Sequence, residues 1–364
     1  MSRLLLISLF SCAAFTRSAS QDLEQPTPEQ VQKQRVEAAL ERAKQYLVTW
    51  TTKAPPVQTG GDPSRCHELV LYALLHLGIP QTEKCITTLA GIVENAPIER
   101  TYQAALGAMA LQALDRVKYR NRIAHFAQFL VDQQCANGQW GYGRPIEHKP
   151  DVTPVHPDPK STTEVIVIKR LGKGPADGDN SCSQYAALGL RACVAAGLEL
   201  PKETFQLAID WWERSQKGDG SWAYSSKDAG PDREGYASMT AGGAASLVIY
   251  RSHLKKDWEK DPKIAKALEW LAANFAVTGN PKHKNPPLFS YYWLYALERV
   301  GDLMALEKIG THAWYAEGAD QLLKTQLRDG SWDSKNEMIV ADTCFAVLFL
   351  RKATRPAPKV ATGK

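Results

Sequence analysis

The sequence predicts an all-α protein, a single (α/α)6 toroid with six inner and six outer helices. Three observations lead to this class. A phrase of Gln, three residues, Gly, one residue and Trp occurs three times with identical spacing. Amphipathic helical segments alternate with segments that are almost wholly apolar. Helix pairs that each need a neighbour's face stack as repeats, and six such pairs can close into a ring.

The N-terminus predicts export. Residues 1–20 read as a signal peptide, with Arg3 before an apolar run at 4–10 and small residues at 18–20 for cleavage. We therefore expect a periplasmic or extracellular protein. A faint lipoprotein box around Cys12 gives a weaker alternative, a lipid anchor.

The rest of the chain divides simply. We predict a linker at 21–30, the toroid at 31–353 and a disordered tail at 354–364. The toroid carries one irregular insertion, 141–178, far longer than an ordinary helix–helix loop, which forms a lid or a flap. Its β-branched stretch 162–169 predicts a short hairpin or strand. No segment after the signal is apolar enough to span a membrane.

Outer helices are predicted where one apolar stripe faces one charged face, and inner helices where no polar face exists. The outer segments are 31–50, 83–95, 117–134, 202–216, 261–276 and 313–326. The inner segments are 69–77, 102–114, 185–196, 239–250, 291–300 and 344–350. Helices without a polar face are buried on all sides, so these line the middle of the ring.

Bulk composition limits the function. The chain has 364 residues, 44% of them hydrophobic, which is enough for one large domain or two ordinary ones. The formal net charge is only +5, and no basic block is interleaved with aromatics. Nucleic acid is therefore excluded as the expected partner.

The repeated phrase falls where an outer helix ends. Gly can adopt the left-handed conformation that stops a helix, Gln can bond orphan backbone groups, and Trp covers the junction. We therefore interpret the phrase as a structural staple. Its residues are Gln134, Gly138 and Trp140, Gln216, Gly220 and Trp222, and Gln326, Gly330 and Trp332.

These phrases resemble the QW repeats of squalene and oxidosqualene cyclases. The alternation of helices over 31–353 looks like the toroid of terpenoid cyclases and of protein prenyltransferase β subunits. The C-terminal part also resembles bacterial proteins with prenyltransferase and squalene oxidase (squalene cyclase) repeats. The resemblance implies an apolar or isoprenoid-like ligand in a central cavity. The Asp-x-Asp-Asp acid motif of hopene-type cyclases is missing, and the nearest run, Asp177-Gly-Asp179-Asn180, ends in Asn.

Zinc is the cofactor that the prenyltransferase resemblance implies. Asp342-Thr-Cys344 matches the Asp-x-Cys pair of that family, but no histidine follows it. A closed ring brings the first and last helix pairs together, so Cys66 and His67 would complete a ligand set. A Cys66–Cys344 disulfide and simple packing remain alternatives.

The starts of the inner helices are the other candidate site, since all six converge at one end, the mouth of the ring. Converging helix N-termini favour anions, although N-capping is the simpler explanation of their polar residues. The candidate acids are Asp342, Asp179, Glu68 and Glu298. The candidate cavity-lining residues are Tyr102, Tyr185, Tyr236, Tyr291, Tyr292 and Trp293.

Two cysteines flank the insertion at the mouth. Cys135 ends an outer helix and Cys182 opens the next inner one. In an exported protein, a Cys135–Cys182 disulfide would pin the base of the insertion.

Two functions therefore stay open. The first is a toroid that binds, and in one version transforms, an apolar or isoprenoid-like ligand. The second is a non-catalytic platform for a protein or a polysaccharide. A zinc-dependent, prenyltransferase-like enzyme is a further alternative.

Overall fold

The computed structural model describes residues 27–53, 66–156, 163–225, 234–354 and 356. The twelve predicted helices are present and alternate between two layers. The outer helices are α1 (Pro28–Lys53), α3 (Lys84–Asn95), α5 (Arg120–Asp132), α7 (Lys202–Ser215), α9 (Pro262–Ala273) and α11 (Trp314–Thr325). The inner helices are α2 (His67–His76), α4 (Thr101–Asp115), α6 (Asn180–Ala195), α8 (Ala237–His253), α10 (Ser290–Leu303) and α12 (Ile339–Arg351).

The inner helices form a closed ring. Each contacts the next inner helix along the chain, and α12 contacts α2. Outside this ring, α1 contacts both α3 and α11. The fold is therefore an all-α toroid and not an open solenoid, which confirms the predicted class.

The inner helices are buried on every face because small residues let them approach closely. Every residue of α8 from Ala237 to Tyr250 is buried. A Cβ on Gly189 of α6 would lie 2.6 Å from the Cα of Ala105 in α4, closer than real atoms approach. The apolar runs in the sequence therefore mark the inner layer.

The first helix begins earlier than the predicted linker allows. Thr27 and Gln30 cap each other: the Gln30 N–H donates to Thr27 Oγ1 at 3.2 Å, and the Thr27 N–H donates to Gln30 Oε1 at 2.7 Å. This reciprocal capping box, with Pro28 in the first turn, starts a helix inside the segment 21–30. The predicted signal peptide, 1–20, lies outside the described residues.

The insertion 141–178 follows the outer wall in its described parts. Its strand β1 (Ile166–Val167) pairs in parallel with β2 (Leu198–Glu199), directly after α6. The predicted short strand is therefore present, and it pairs with β2 and not with a second strand of a hairpin. Within its described residues, the insertion also contains an antiparallel bridge between Val155 and Val165.

Hydrogen bonds fix the second half of the insertion along α5. Arg170 donates to the carbonyl of Val131 at 2.6 Å, and the N–H groups of Leu171 and Gly172 donate to Asp132 Oδ1 at 2.8 and 2.9 Å. Ile166 is buried. These parts form a strap on the outside of the ring and not a lid over its mouth.

Candidate functional site

The mouth of the ring is organised by the three repeated phrases. In each copy the Trp indole donates to a carbonyl in the outer helix just completed: Leu130, Trp212 and Leu322, at 2.7, 2.9 and 2.9 Å. In each copy the Trp backbone N–H donates to a hydroxyl near the start of the following inner helix: Ser183, Thr240 and Thr343. The phrase thus fixes where each inner helix starts.

The Gln of each copy reaches the next outer helix. The side-chain amide donates to a backbone carbonyl there, at 2.8 Å in each case. The pairs are Gln134 with Thr204, Gln216 with Lys263, and Gln326 with Ala39. The Gly of each copy has a φ near +90°, which strains any other residue. These contacts agree with the interpretation of the phrase as a structural staple between helices.

Backbone carbonyls next to the repeats cap the inner helices. Tyr142 and Tyr224 stand two residues after the first two Trp residues, and their carbonyls accept from the N–H groups of Thr101 and Asn180, both at 2.9 Å. The hydroxyls of the two tyrosines lie 3.1 Å apart. Tyr142 is 56% exposed, so this pair forms an accessible rim above the inner-helix starts.

Two of the candidate acids, Asp179 and Asp342, each have a separate local partner. The Asp179 carboxylate accepts from the N–H of Cys182 at 2.7 Å and caps α6. Asp342 accepts from the N–H and the hydroxyl of Ser334 at 2.8 and 2.6 Å. Burial raises the pKa of both carboxyls. Capping and loop fixation therefore account for these two residues.

Glu68 is buried in the first turn of α2. Burial raises its pKa to about 7, against the opposing effects of its own backbone, Gln103 and Arg122. Glu298 lies at the other end of its helix, where it accepts from the N–H and the hydroxyl of Thr354 at 2.7 and 2.8 Å. Burial raises the pKa of Glu298 well above its usual range. Thr354 is the first residue of the predicted disordered tail, but it is buried and bonded to Glu298.

The predicted zinc set does not assemble. Across the described residues, no group of three or more His, Cys, Asp or Glu side chains is arranged to hold a metal ion. The His67 ring packs against Trp50 at 5.4 Å, and Asp342 binds Ser334. Burial raises the pKa of the Cys66 thiol to about 12, which disfavours the thiolate that zinc needs.

The predicted Cys135–Cys182 disulfide is not formed in the structure. Both residues are buried free thiols. Burial raises the pKa of Cys135 to about 11 and that of Cys182 well above its usual value. Neither Cys66 nor Cys344 forms a disulfide either.

Three of the predicted cavity residues meet across the ring. Tyr102 lies on α4 and Tyr292 on α10, which stand opposite each other among the six inner helices. Their hydroxyls lie 3.3 Å apart, and the Ser181 hydroxyl bonds both. The Tyr185 ring packs on both tyrosines, with centroids 4.4 and 5.9 Å away. Side chains therefore fill the ring at this level, and the predicted central cavity is closed there.

A buried arginine lies next to this cluster of tyrosines. Arg299 of α10 is 1% exposed and donates to Gln184, which in turn donates to the Tyr292 hydroxyl at 2.7 Å. The Arg299 guanidinium lies over the ring of Tyr295 at 4.5 Å and of Tyr185 at 5.3 Å. Among the described residues, no carboxylate pairs with it.

Arg299 and Gln184 were missed by the sequence analysis. The signal was available: Arg299 interrupts the apolar inner run 291–300, and a charged residue is almost never fully buried without a partner. Sequence could not show the partner, because cation–π packing leaves no acidic residue at a fixed spacing.

The other predicted cavity residues lie elsewhere. Tyr236 precedes α8 and packs edge-on against His283 at 5.1 Å. Trp293 is buried, and its indole donates to the Ala276 carbonyl at 2.9 Å. Tyr291 lines a half-open cavity of about 160 Å³ between α10 and α11. This cavity lies beside the inner ring.

No helix among the described residues combines the length and the apolar character that crossing a membrane requires.

Comparisons with known proteins identify the fold. No protein-family model matches the chain, and no curated protein matches it. Among solved structures, it is similar to a variant of the type II terpene cyclase MstE from Scytonema in complex with geranylgeranyl dihydroxybenzoate. The TM-score is 0.57 and the identity 13%, over 89% of this chain and 98% of that one. A variant in complex with merosterolic acid A matches over the same shares, with a TM-score of 0.54 and 14% identity. The protein therefore has a terpenoid cyclase-like α/α toroid fold.

Proposed function

We propose that the protein is a non-catalytic binding toroid that presents its mouth end to a polysaccharide. The observation that supports this is the filled centre of the ring. Tyr102 and Tyr292 close the ring from opposite sides, and Arg299 lies behind them between two tyrosine rings.

This arrangement opposes cyclisation chemistry. A cyclase that protonates an alkene has to surround the resulting carbocation with aromatic faces. Here the guanidinium of Arg299 already covers the faces of Tyr185 and Tyr295. A second positive charge at that place would be repelled. Two of the acids at the mouth, Asp342 and Asp179, are committed to Ser334 and to the cap of α6.

The rim supplies a surface that suits sugars. Tyrosine combines an apolar ring with a polar tip, which is useful where a ligand has both characters. Tyr142 and Tyr224 are joined through their hydroxyls, and their backbones are anchored to inner-helix starts. A rigid, partly exposed aromatic pair can hold a sugar ring with little loss of entropy.

Affinity electrophoresis through gels with soluble neutral polysaccharides tests the proposal. We expect retardation of the wild type by at least one polymer and its loss in Tyr142→Ala and Tyr224→Ala. Val117→Ala is the control, because Val117 is 76% exposed and far from the rim in the turn after α4. In parallel, incubation with squalene and geranylgeraniol should leave both unchanged. A cyclised product, or retardation that is unaffected in both tyrosine variants, would overturn the proposal.

An isoprenoid-like ligand is the second candidate. It is favoured by the likeness of the fold to cyclases solved with geranylgeranyl dihydroxybenzoate. Binding in the ring would require the Tyr102–Tyr292 contact to open. Stoichiometric retention of polyprene by the wild type, lost in Tyr102→Trp and kept in Val117→Ala, would favour this candidate.

We also propose that the chain is exported, on the basis of the signal-like residues 1–20. Protein isolated from its host should begin at Gln21. An intact N-terminus at Met1 would contradict export by this route.

A further inference from the structure

We propose that the cavity between α10 and α11 is a subsite for one neutral sugar ring. This inference rests on the proposed polysaccharide function and gives it a second, separate contact point. The cavity lies at the mouth end of the ring, since Ser290 and Tyr291 of its wall start the inner helix α10.

Its size fits one ring and little more. The volume is about 160 Å³. An engineered protein cavity of about 150 Å³ admits benzene, so a single six-membered ring is the natural occupant. A chain of several isoprene units is much longer than such a cavity. Because the cavity is half-open, the ring can belong to a longer polymer.

The lining combines two kinds of side chain. Val277, Pro287, Tyr291 and Leu294 are apolar or aromatic. Ser290, Gln321, Thr325 and Ser334 carry hydroxyl or amide groups. A sugar ring has both characters, with C–H groups on its faces and hydroxyls around its edge. A prenyl group would bury these polar side chains without partners, which is costly.

Spare hydrogen-bonding capacity faces the cavity. Among the described residues, the side chains of Ser290 and Gln321 have no hydrogen-bond partner, although both are partly buried. The Ser334 hydroxyl donates to Asp342 and keeps its lone pairs available as acceptors. Hydroxyl groups of a ligand can therefore both donate and accept here.

The charged side chains at the cavity already have local partners. Lys335 Nζ lies 2.7 Å from Asp333 Oδ2, and the carboxylate of Asp342 behind the wall accepts two bonds from Ser334. An ionic ligand would have to disrupt one of these pairs. The chemistry therefore selects a neutral sugar over a charged one.

Saturation-transfer NMR on the full chain tests the subsite, with methyl glycosides of glucose, galactose, mannose and N-acetylglucosamine as probes. We expect the wild type to bind at least one. Gln321→Leu keeps the size of the side chain but removes its amide, and it should weaken binding about tenfold, the effect of one lost hydrogen bond. Val277→Trp should abolish binding by filling the cavity.

Gln206→Leu is the matched control, since Gln206 is also a partly buried amide on an outer helix and lies on α7. It should bind as the wild type does. If Val277→Trp does not fold, as judged by its thermal unfolding, Gln321→Leu decides. Equal binding by Gln321→Leu and the wild type, no glycoside binding by the wild type, or tighter binding of 3-methylbut-2-en-1-ol than of any glycoside would each overturn the subsite.

The failure of the subsite can be told from failure of the proposed function. Polymer retardation that needs Tyr142 but not Gln321 would leave the proposed function intact and remove the subsite. Retardation that is lost in no tyrosine variant would remove the proposed function, while glycoside binding would still report on the cavity.

Discussion

Gln326, just past the last outer helix, donates its side-chain amide to the carbonyl of Ala39 in the first outer helix, 2.8 Å away. The same amide donates to Gly330 of its own turn at 3.0 Å. One side chain therefore holds a repeat together and joins the two ends of the chain. The other two copies use the same bonds between consecutive outer helices.

Replacing Gln326 with Leu should lower the free energy of unfolding by about 1–2 kcal/mol, because two carbonyls lose a donor at a partly buried site. Urea unfolding followed by circular dichroism measures this. Gln45→Leu, at an exposed amide of α1 that makes no hydrogen bond among the described residues, should change it by less than about 0.5 kcal/mol. Equal effects of the two variants would show that the ring closure depends on packing alone.

Gly330→Ala should be more damaging, by about 2–4 kcal/mol. Gly330 has a φ of +91°, and an added Cβ would lie 2.4 Å from the carbonyl oxygen of Arg42. Gly91→Ala is the control, since Gly91 lies within α3 and its Cβ would meet no atom within 4 Å. That change should stabilise by about 0.5–1 kcal/mol. Thermal unfolding midpoints compare the two, and a tolerated Gly330→Ala would contradict the staple.

Stability should depend on pH through Glu68. Burial raises the pKa of this carboxyl from 4.5 to about 7, so the folded state holds the proton more tightly than the unfolded state. Its contribution is fully present below about pH 4.5 and is lost as the pH rises to about 7, by an amount on the order of 3 kcal/mol.

The difference between wild type and Glu68→Gln isolates this effect. Urea midpoints measured between pH 4.5 and 8 should fall with rising pH in the wild type more steeply than in the variant. Parallel curves would mean that Glu68 titrates with an ordinary pKa.

Arg170→Ala should loosen the insertion from the outer wall. Arg170 donates to Val131, Gln134 and Thr204, and so joins the strap to both α5 and α7. We expect faster proteolysis and faster amide exchange within 163–178 while the ring remains folded. Lys173→Ala, an exposed neighbour, should behave as the wild type. Unchanged exchange in Arg170→Ala would show that the apolar contacts of Ile166 hold the strap alone.

The alternation of layers could be predicted because it depends only on which faces are apolar. The apolar stripe of Phe205, Ile209 and Trp212, with its helical period, identifies an outer helix without any knowledge of the tertiary structure. The boundaries of the helices and of the tail were predicted less accurately, since they depend on individual hydrogen bonds. The Thr27–Gln30 capping box starts α1 before residue 31. Thr354 is buried because its N–H donates to Glu298.

The centre of the ring was harder to predict. Whether Tyr102, Tyr185 and Tyr292 surround a cavity or fill it depends on distances across the ring, and helical periodicity says nothing about those. The predicted zinc ligands do not come together for a related reason. Ring closure does bring α2 beside α12, as expected. The side chains of His67 and Asp342 turn to Trp50 and Ser334, which sequence spacing does not reveal.

The contact between α12 and α2 has a consequence for how the protein is made. It pairs the first and the last inner helix, so the ring cannot close until α12 has left the ribosome. Until then, one face of α2 and the growing end of the inner layer lack their neighbours and expose apolar surface. Such a high contact order predicts slow final closure and a need for protection of the incomplete ring during synthesis.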